Sequence, residues 1–336
     1  MRDIKTCVIG LGSMGRNHAR VLGDLQTAAF VGVADPAANV RAAYRPLQGV
    51  KVYAEYREML ERERPEAAIV AVPSELHCEI VADLAAAGVH VLVEKPMSKR
   101  LDEADRMIEV TRAAGVKFMV GHIERFNPAV QEIKQRVASK EIGEVFQLHA
   151  RRLSPFPPRV TDVGVILDLA THDIDVMHFI TGSTVVRTYA ETARRAHATC
   201  EDTLNGLLRF SNGVVGVLDI SWLSPQKLRQ LSVLGPGGMY VCDYLTQDVH
   251  FYKNGRINDS WEPATHFSGA IEGDVLKTYI PKREPLRVEL EAFLACILDD
   301  TPPPVSGEEG RTALRVALEL GRSGVEHSVL EPPQAR

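Results

Sequence analysis

The sequence predicts an α/β domain built on a doubly wound parallel sheet, followed by an α+β domain with an open, mostly antiparallel sheet. Three observations lead there. The first 120 residues alternate short apolar runs with helix-spaced segments. A glycine-rich turn joins the first run to the first helix. From Ser183 to Tyr252 the rhythm changes to short alternating strands broken by turn residues. Strand–helix alternation favours right-handed βαβ units and a parallel sheet, whereas hairpin-linked alternation favours an antiparallel one.

Taken in order, the segments at 4–10, 28–35, 67–73, 89–94 and 116–121 read as strands. Those at 14–24, 75–87 and 99–114 space their apolar residues by three and four and read as helices. A helix is expected at 128–139, a strand over EVFQLHARR, and a helix across VGVILDLATHDIDVMHFI. Hairpin signals follow around Ser211–Gly213, Pro236–Gly238 and Asn254–Gly255. A less regular stretch at 255–283 leads to closing helices near 286–299 and 307–323. The expected domains are 1–122, binding a dinucleotide, and 123–336, binding substrate and mediating oligomerisation. An open antiparallel sheet with a free face suits a homo-oligomer, a dimer or tetramer.

Bulk properties narrow the function. At 336 residues the chain suits two domains. A net charge of −5 and a pI near 6.1 supply no basic footprint for nucleic acid. No apolar run reaches the roughly 18 residues of a membrane span, and MRDIKTCVIG is too short a stretch for a secretory signal. Five scattered cysteines, none in C-x-x-C spacing, suit reduced thiols. The expectation is a soluble cytoplasmic protein.

In VIGLGSMGRNHARVL, Gly10, Gly12 and Gly15 stand in G-x-G-x-x-G register between a strand and a helix, with Ser13 and Met14 inside the turn. This is the Rossmann dinucleotide loop: a tight turn, a close approach to pyrophosphate, and close helix–strand packing. The helix start then offers free N–H groups to the phosphates. Asp35 ends the second strand, where a carboxylate accepts bonds from a ribose and repels a 2′-phosphate. NAD is therefore favoured over NADP, although a helix cap before Pro36 is the plainer use of Asp35. VHVLVEKP ends a buried run on Glu94, Lys95 and Pro96. By itself that is a charged turn closed by a helix breaker. In LDLATHDIDVMHF, Asp168 and His172 sit four apart, on one face of a helix, where an Asp can orient an imidazole. Asp173, Asp175 and His178 can serve instead. No third ligand lies at a spacing that suits a metal.

Together the glycine loop, Asp35, E-K-P at 94–96 and D-x-x-x-H at 168–172 resemble the Gfo/Idh/MocA oxidoreductases over essentially the whole chain. The resemblance implies that Lys95 is the catalytic lysine at the nicotinamide, with Asp168 and His172 its acid–base partners. It also implies a cis bond before Pro96 and cofactor contacts from Val72, Pro73, Ser74, His77, Glu94, Lys95 and His122. A narrower likeness lies in VGHIERFNPAV, which resembles the branch oxidising UDP-N-acetylhexosamines, UDP-N-acetylglucosamine 3-dehydrogenases of amino-sugar and lipid A pathways among them. On that likeness Lys95, His172, Arg125, Asn127, Arg151, Arg152 and Arg159 are expected to face the sugar nucleotide, since Arg forks suit phosphate. Two alternatives remain: a dehydrogenase of a free sugar or polyol such as inositol or glucose, and a non-catalytic NAD-sensing regulator.

Overall fold

The computed structural model describes residues 3–157, 163–255 and 272–331. They form two compact units, one of residues 1–123 with 284–315 and one of 124–283 with 316–336.

In the first unit six parallel strands run in the order β3-β2-β1-β4-β5-β6: Ile4–Ile9 (β1), Ala28–Ala34 (β2), Lys51–Tyr53 (β3), Ala67–Val70 (β4), His90–Glu94 (β5) and Phe118–Gly121 (β6). β1, β4 and β5 bury Val8, Ile69 and Val91 to Val93 completely, as strands covered on both faces do. The helices are Ser13–Asp24 (α1), Ala38–Ala43 (α2), Tyr56–Glu63 (α3), His77–Ala86 (α4) and Leu101–Ala113 (α5). α2, β3 and α3 were not legible in the sequence. β3 has three residues, and α3 buries only Met59, so neither carries an apolar period.

The expectation that everything after residue 122 belongs to the second domain is corrected. The helix Pro285–Leu298 packs beside α1, and the Val305 carbonyl accepts the Val120 N–H at 3.1 Å. Arg112–Glu308 and Arg311–Asp105 ion pairs hold the same return. The cause is β6: as the last strand of the sheet it leaves an edge whose backbone donors need partners, and the returning segment supplies one.

The second unit holds eight strands in the order β14-β13-β12-β11-β7-β10-β9-β8. They are Gln147–Leu153 (β7), Val185–Ala193 (β8), Thr203–Phe210 (β9), Val215–Ser221 (β10), Leu228–Gly235 (β11), Gly238–Asp243 (β12), Asp248–Asn254 (β13) and Glu272–Thr278 (β14). Only β7 and β10 pair in parallel. Hairpins close at the first two predicted turns. The Asn254–Gly255 signal does not close a tight hairpin, because β13 pairs with β14, whose first residue is Glu272. The buried face carries Leu148, Ala150, Leu218, Ile220, Leu231 and Val233. It is covered by Pro128–Ala138 (α6) and Thr171–Thr181 (α7), and a Cβ on Gly216 of β10 would meet Met177 Sδ of α7 at 2.9 Å. On the other face Leu207 and Val186 are exposed. The last helix, Gly307–Glu326, ends in this unit. Among the described residues no helix is long and apolar enough to cross a membrane, and all five cysteines are free.

Candidate active site

Parallel register brings the predicted loops together. Ile9 pairs with Ala34 and Val70, Val70 with Val93, and Val93 with Val120. The next residues of each strand, Gly10, Asp35, Val72, Glu94–Lys95 and Gly121–His122, therefore leave one carboxyl edge side by side. The order reverses between β1 and β4, and such a switch point is where open α/β sheets bind ligands.

Gly10 adopts φ +96°, and a Cβ there would lie 2.4 Å from the Ala71 carbonyl oxygen. A Cβ on Gly15 would lie 1.8 Å from the Gly10 carbonyl oxygen, whereas Gly12 has nothing within 4 Å. Two glycines thus close the turn and the third leaves room at the α1 N-terminus, beside exposed Ser13 and half-buried Met14. This fits a pyrophosphate. The Asp35 carboxylate accepts the Leu11 N–H at 2.8 Å and the Ala37 N–H at 2.9 Å, which fixes it at the lip of the cleft. An open pocket lies here, lined by Gly10, Asp35, Pro36, Tyr56, Val72 and Ile80, beside the glycine loop. The residues fit NAD.

Pro73 is exposed and Ser74 buried at the start of the following turn. His77 was expected to touch the cofactor and is instead a brace. Its ring is buried, with Nε2 2.9 Å from the Val72 carbonyl and Nδ1 3.1 Å from that of Met97. Burial pushes its pKa down despite both carbonyls. His122 is likewise buried directly after β6.

The Lys95–Pro96 peptide is cis. Behind Lys95, Glu94 Oε1 lies 2.7 Å from Nε2 of fully buried His18, and Oε2 accepts the Lys95 N–H at 3.2 Å. Burial would raise the Glu94 carboxyl, but the His18 hydrogen bond and the charges of His18 and Lys95 outweigh it and hold the group below the usual range. An ionised Glu94 can only accept, so His18 Nε2 carries the hydrogen. Glu289, on the helix returning beside α1, is fully buried, and neither of its oxygens has a hydrogen-bond partner among the described residues. Burial first, and the Glu94 charge second, push its carboxyl well above the usual range, so it is a neutral acid. The sequence reading missed His18 and Glu289. The signal for His18 was a polar residue on the apolar stripe of α1 with Gly15, Ala19 and Leu22.

In the second unit, Ile166–Ala170 forms a π turn running into α7, with the Thr171 N–H reaching back five residues to the Ile166 carbonyl. Asp168 sits in that turn and His172 in the first turn of α7, both half-buried. Wide turns of this kind cluster at functional positions. The alternatives to this pair are engaged elsewhere. Asp173 is held by Arg152 through Nε at 2.7 Å and Nη2 at 3.1 Å, and Asp175 by Arg125 through Nε and Nη2, both at 2.7 Å. The Nδ1 of His178 faces the Ser183 carbonyl at 2.9 Å.

These pairs correct three substrate-binding expectations. Arg125 and Arg152 are 4% and 1% exposed and spend their forks on buried carboxylates, with Arg152 Nη1 also donating to Glu124 at 3.0 Å. Asn127 caps α6, accepting the Ala129 N–H at 3.1 Å and donating to the Tyr244 carbonyl at 3.0 Å. A buried cation needs a local counter-charge before it can serve a ligand. Arg151 points to the opposite face, 3.3 Å from Asp219. Arg159 lies outside the described residues.

A parallel sheet with a fitted dinucleotide loop, a lysine at its carboxyl edge and a partner unit carrying a half-buried Asp and His define an NAD-binding oxidoreductase. The comparisons agree. Residues 4–122 match the family described as "Oxidoreductase family, NAD-binding Rossmann fold", and residues 130–241 match the GFO/IDH/MocA C-terminal domain. The chain is 30% identical over 327 residues to UDP-N-acetylglucosamine 3-dehydrogenase of Acidithiobacillus ferrooxidans, covering 95% of this chain and 97% of that protein. It is 29% identical over 328 residues to myo-inositol 2-dehydrogenase of Thermotoga maritima, covering 94% and 95%. A solved structure of UDP-N-acetylglucosamine 3-dehydrogenase GnnA from A. ferrooxidans superposes with a TM-score of 0.83 at 28% identity, covering 96% of this chain and 98% of that one. The chain belongs to the Gfo/Idh/MocA oxidoreductase family.

Proposed function

We propose that the protein oxidises a secondary hydroxyl of a nucleotide sugar, most simply UDP-N-acetylglucosamine to its 3-keto form. The likeness to the A. ferrooxidans 3-dehydrogenase along nearly the whole length of both chains carries this reading. NAD, when bound, supplies the hydride acceptor. Every other task falls to side chains. His172, oriented by Asp168, takes the hydroxyl proton as hydrogen leaves the same carbon with its electron pair. The Lys95 ammonium donates to that oxygen and stabilises its developing negative charge, a contribution of about 3 kcal/mol for a well-placed donor. A 3-keto sugar nucleotide suits a later transamination of the amino-sugar and lipid A type. The exposed apolar face of the second sheet suits contact with a second copy.

A free polyol is the second reading, favoured by the 29% identity to the inositol enzyme. NADH formation across a panel of UDP-sugars, myo-inositol and glucose separates the two: turnover of polyols with indifference to UDP would sink the nucleotide-sugar reading. Lys95→Ala is expected to lower kcat by about a thousandfold while NADH still binds. Full activity in that variant would overturn the role of Lys95.

A further inference from the structure

One guanidinium in the second unit has no counter-ion of its own. Arg229 stands on β11 directly across from Arg152 on β7, on the face that carries buried Leu231 and Val233. The charges around the two differ sharply. Arg152 takes both oxygens of Asp173 and the nearer approach to Glu124, at 3.0 Å. Arg229 reaches the same Glu124 oxygen only at 3.9 Å, beyond hydrogen-bond range, and its side chain is 33% exposed. Among the described residues none of its five guanidinium N–H groups has a hydrogen-bond partner, whereas its backbone carbonyl is tied to the Tyr244 N–H at 2.9 Å. The strand is therefore fixed while the fork is uncommitted. Burial, then the Arg152 charge, push the Arg229 pKa down, and Glu124, Asp173 and Asp168 oppose this, so the fork also lies within charge range of Asp168.

We propose that Arg229 is the anion anchor of the substrate: its guanidinium fork binds the acidic group of the sugar compound beside Asp168, and so selects a charged sugar over a neutral polyol. This rests on the nucleotide-sugar reading and adds the residue that would enforce it. A planar fork with one side buried and one side wet matches the two oxygens of a phosphate or a carboxylate. The complement of such a fork is an anion, and among the described residues no carboxylate comes within hydrogen-bond range of it. The diphosphate of a nucleotide sugar and the carboxylate of a uronic acid share this chemistry.

The test uses the full-length enzyme saturated with NAD, so that the glycine loop is filled. Wild type, Arg229→Met and Arg229→Lys are compared for KM and kcat with UDP-N-acetylglucosamine, and for inhibition by inorganic pyrophosphate and by glucuronate. Arg229→Met is expected to raise the KM by about 10- to 100-fold, the loss of a charge-assisted fork, with a much smaller change in kcat. Arg229→Lys is expected to recover part of it, and NADH affinity reports that both variants are folded. Weakened inhibition by pyrophosphate alone assigns the fork to the diphosphate, and by glucuronate alone to a carboxylate. A KM and inhibition constants within twofold of wild type would overturn the proposal, as would a loss confined to kcat. If wild type turns over only polyols, the nucleotide-sugar reading fails by itself. The inhibition constants then judge Arg229: unchanged in Arg229→Met, they overturn the anchor, and weakened, they keep it.

Discussion

Each unit buries carboxylates next to its functional residues, and each keeps them there differently. Behind Lys95 no arginine pairs with either carboxylate among the described residues: Glu94 is balanced by His18 and by Lys95 itself, and Glu289 is held as a neutral acid. Beneath Asp168 and His172 the solution is pairing, with Asp175 on Arg125 and Asp173 on Arg152 through two bonds each. Desolvating an ion pair costs several kcal/mol that only good geometry repays, whereas a neutral acid avoids that cost by keeping its proton. The first arrangement leaves the cofactor side sensitive to pH. The second fixes Asp173 and Asp175 in two-bond pairs with Arg152 and Arg125.

The strongest way to break this contrast is Arg152→Met. It strands a buried Asp173 and removes the nearest cation from Glu124, and is expected to cost about 3–5 kcal/mol in urea unfolding. Adding Asp173→Leu should recover most of the loss. Failure to recover would mean that the network does more than neutralise charge. Next in size is His18→Ala, which removes the hydrogen bond to an ionised carboxylate and is expected to cost about 1.5–3 kcal/mol. Because Glu94 also holds the Lys95 N–H, kcat should fall by about tenfold or more with little change in NADH affinity, and His18→Gln should restore part of it. Last, and most diagnostic because it is read from a pH slope, is Glu289→Gln. A carboxyl raised in the folded state keeps its proton while the unfolded chain loses one above about pH 4.3, so wild-type stability falls as pH rises. The slope is about 1.4 kcal/mol per pH unit until the folded group ionises. Glu289→Gln should flatten that slope, so that thermal melts of the two proteins agree near pH 4 and separate toward pH 8. Glu94 acts in the opposite sense, its contribution present at neutral pH and lost as acid protonates it.

Much of this was legible in the sequence, for identifiable reasons. Val89 to Val93 announce a doubly covered strand by composition alone, and Gly10, Gly12 and Gly15 announce a dinucleotide turn by spacing. The roles of Arg125 and Arg152 were not legible, because an arginine that pairs internally and one that binds phosphate look identical in one dimension. What distinguishes them is whether an Asp arrives across 50 and 21 residues of chain. The π turn was missed because D-x-x-x-H satisfies a regular helix equally well. Glu94, a bare charge at the end of a strand, acquires a meaning only when His18, 76 residues earlier, comes into contact with it.

The return of residues 284–315 also sets an order of assembly. Glu289 and the Val305 carbonyl that caps β6 belong to the first unit yet are made near the end of the chain. At 5–20 residues per second, a ribosome that has finished residue 123 needs about 10–40 s more to reach residue 315. During that interval the nascent dinucleotide unit lacks one helix and presents an uncapped strand edge. The half of the protein begun first is therefore finished only after most of the other half has been made.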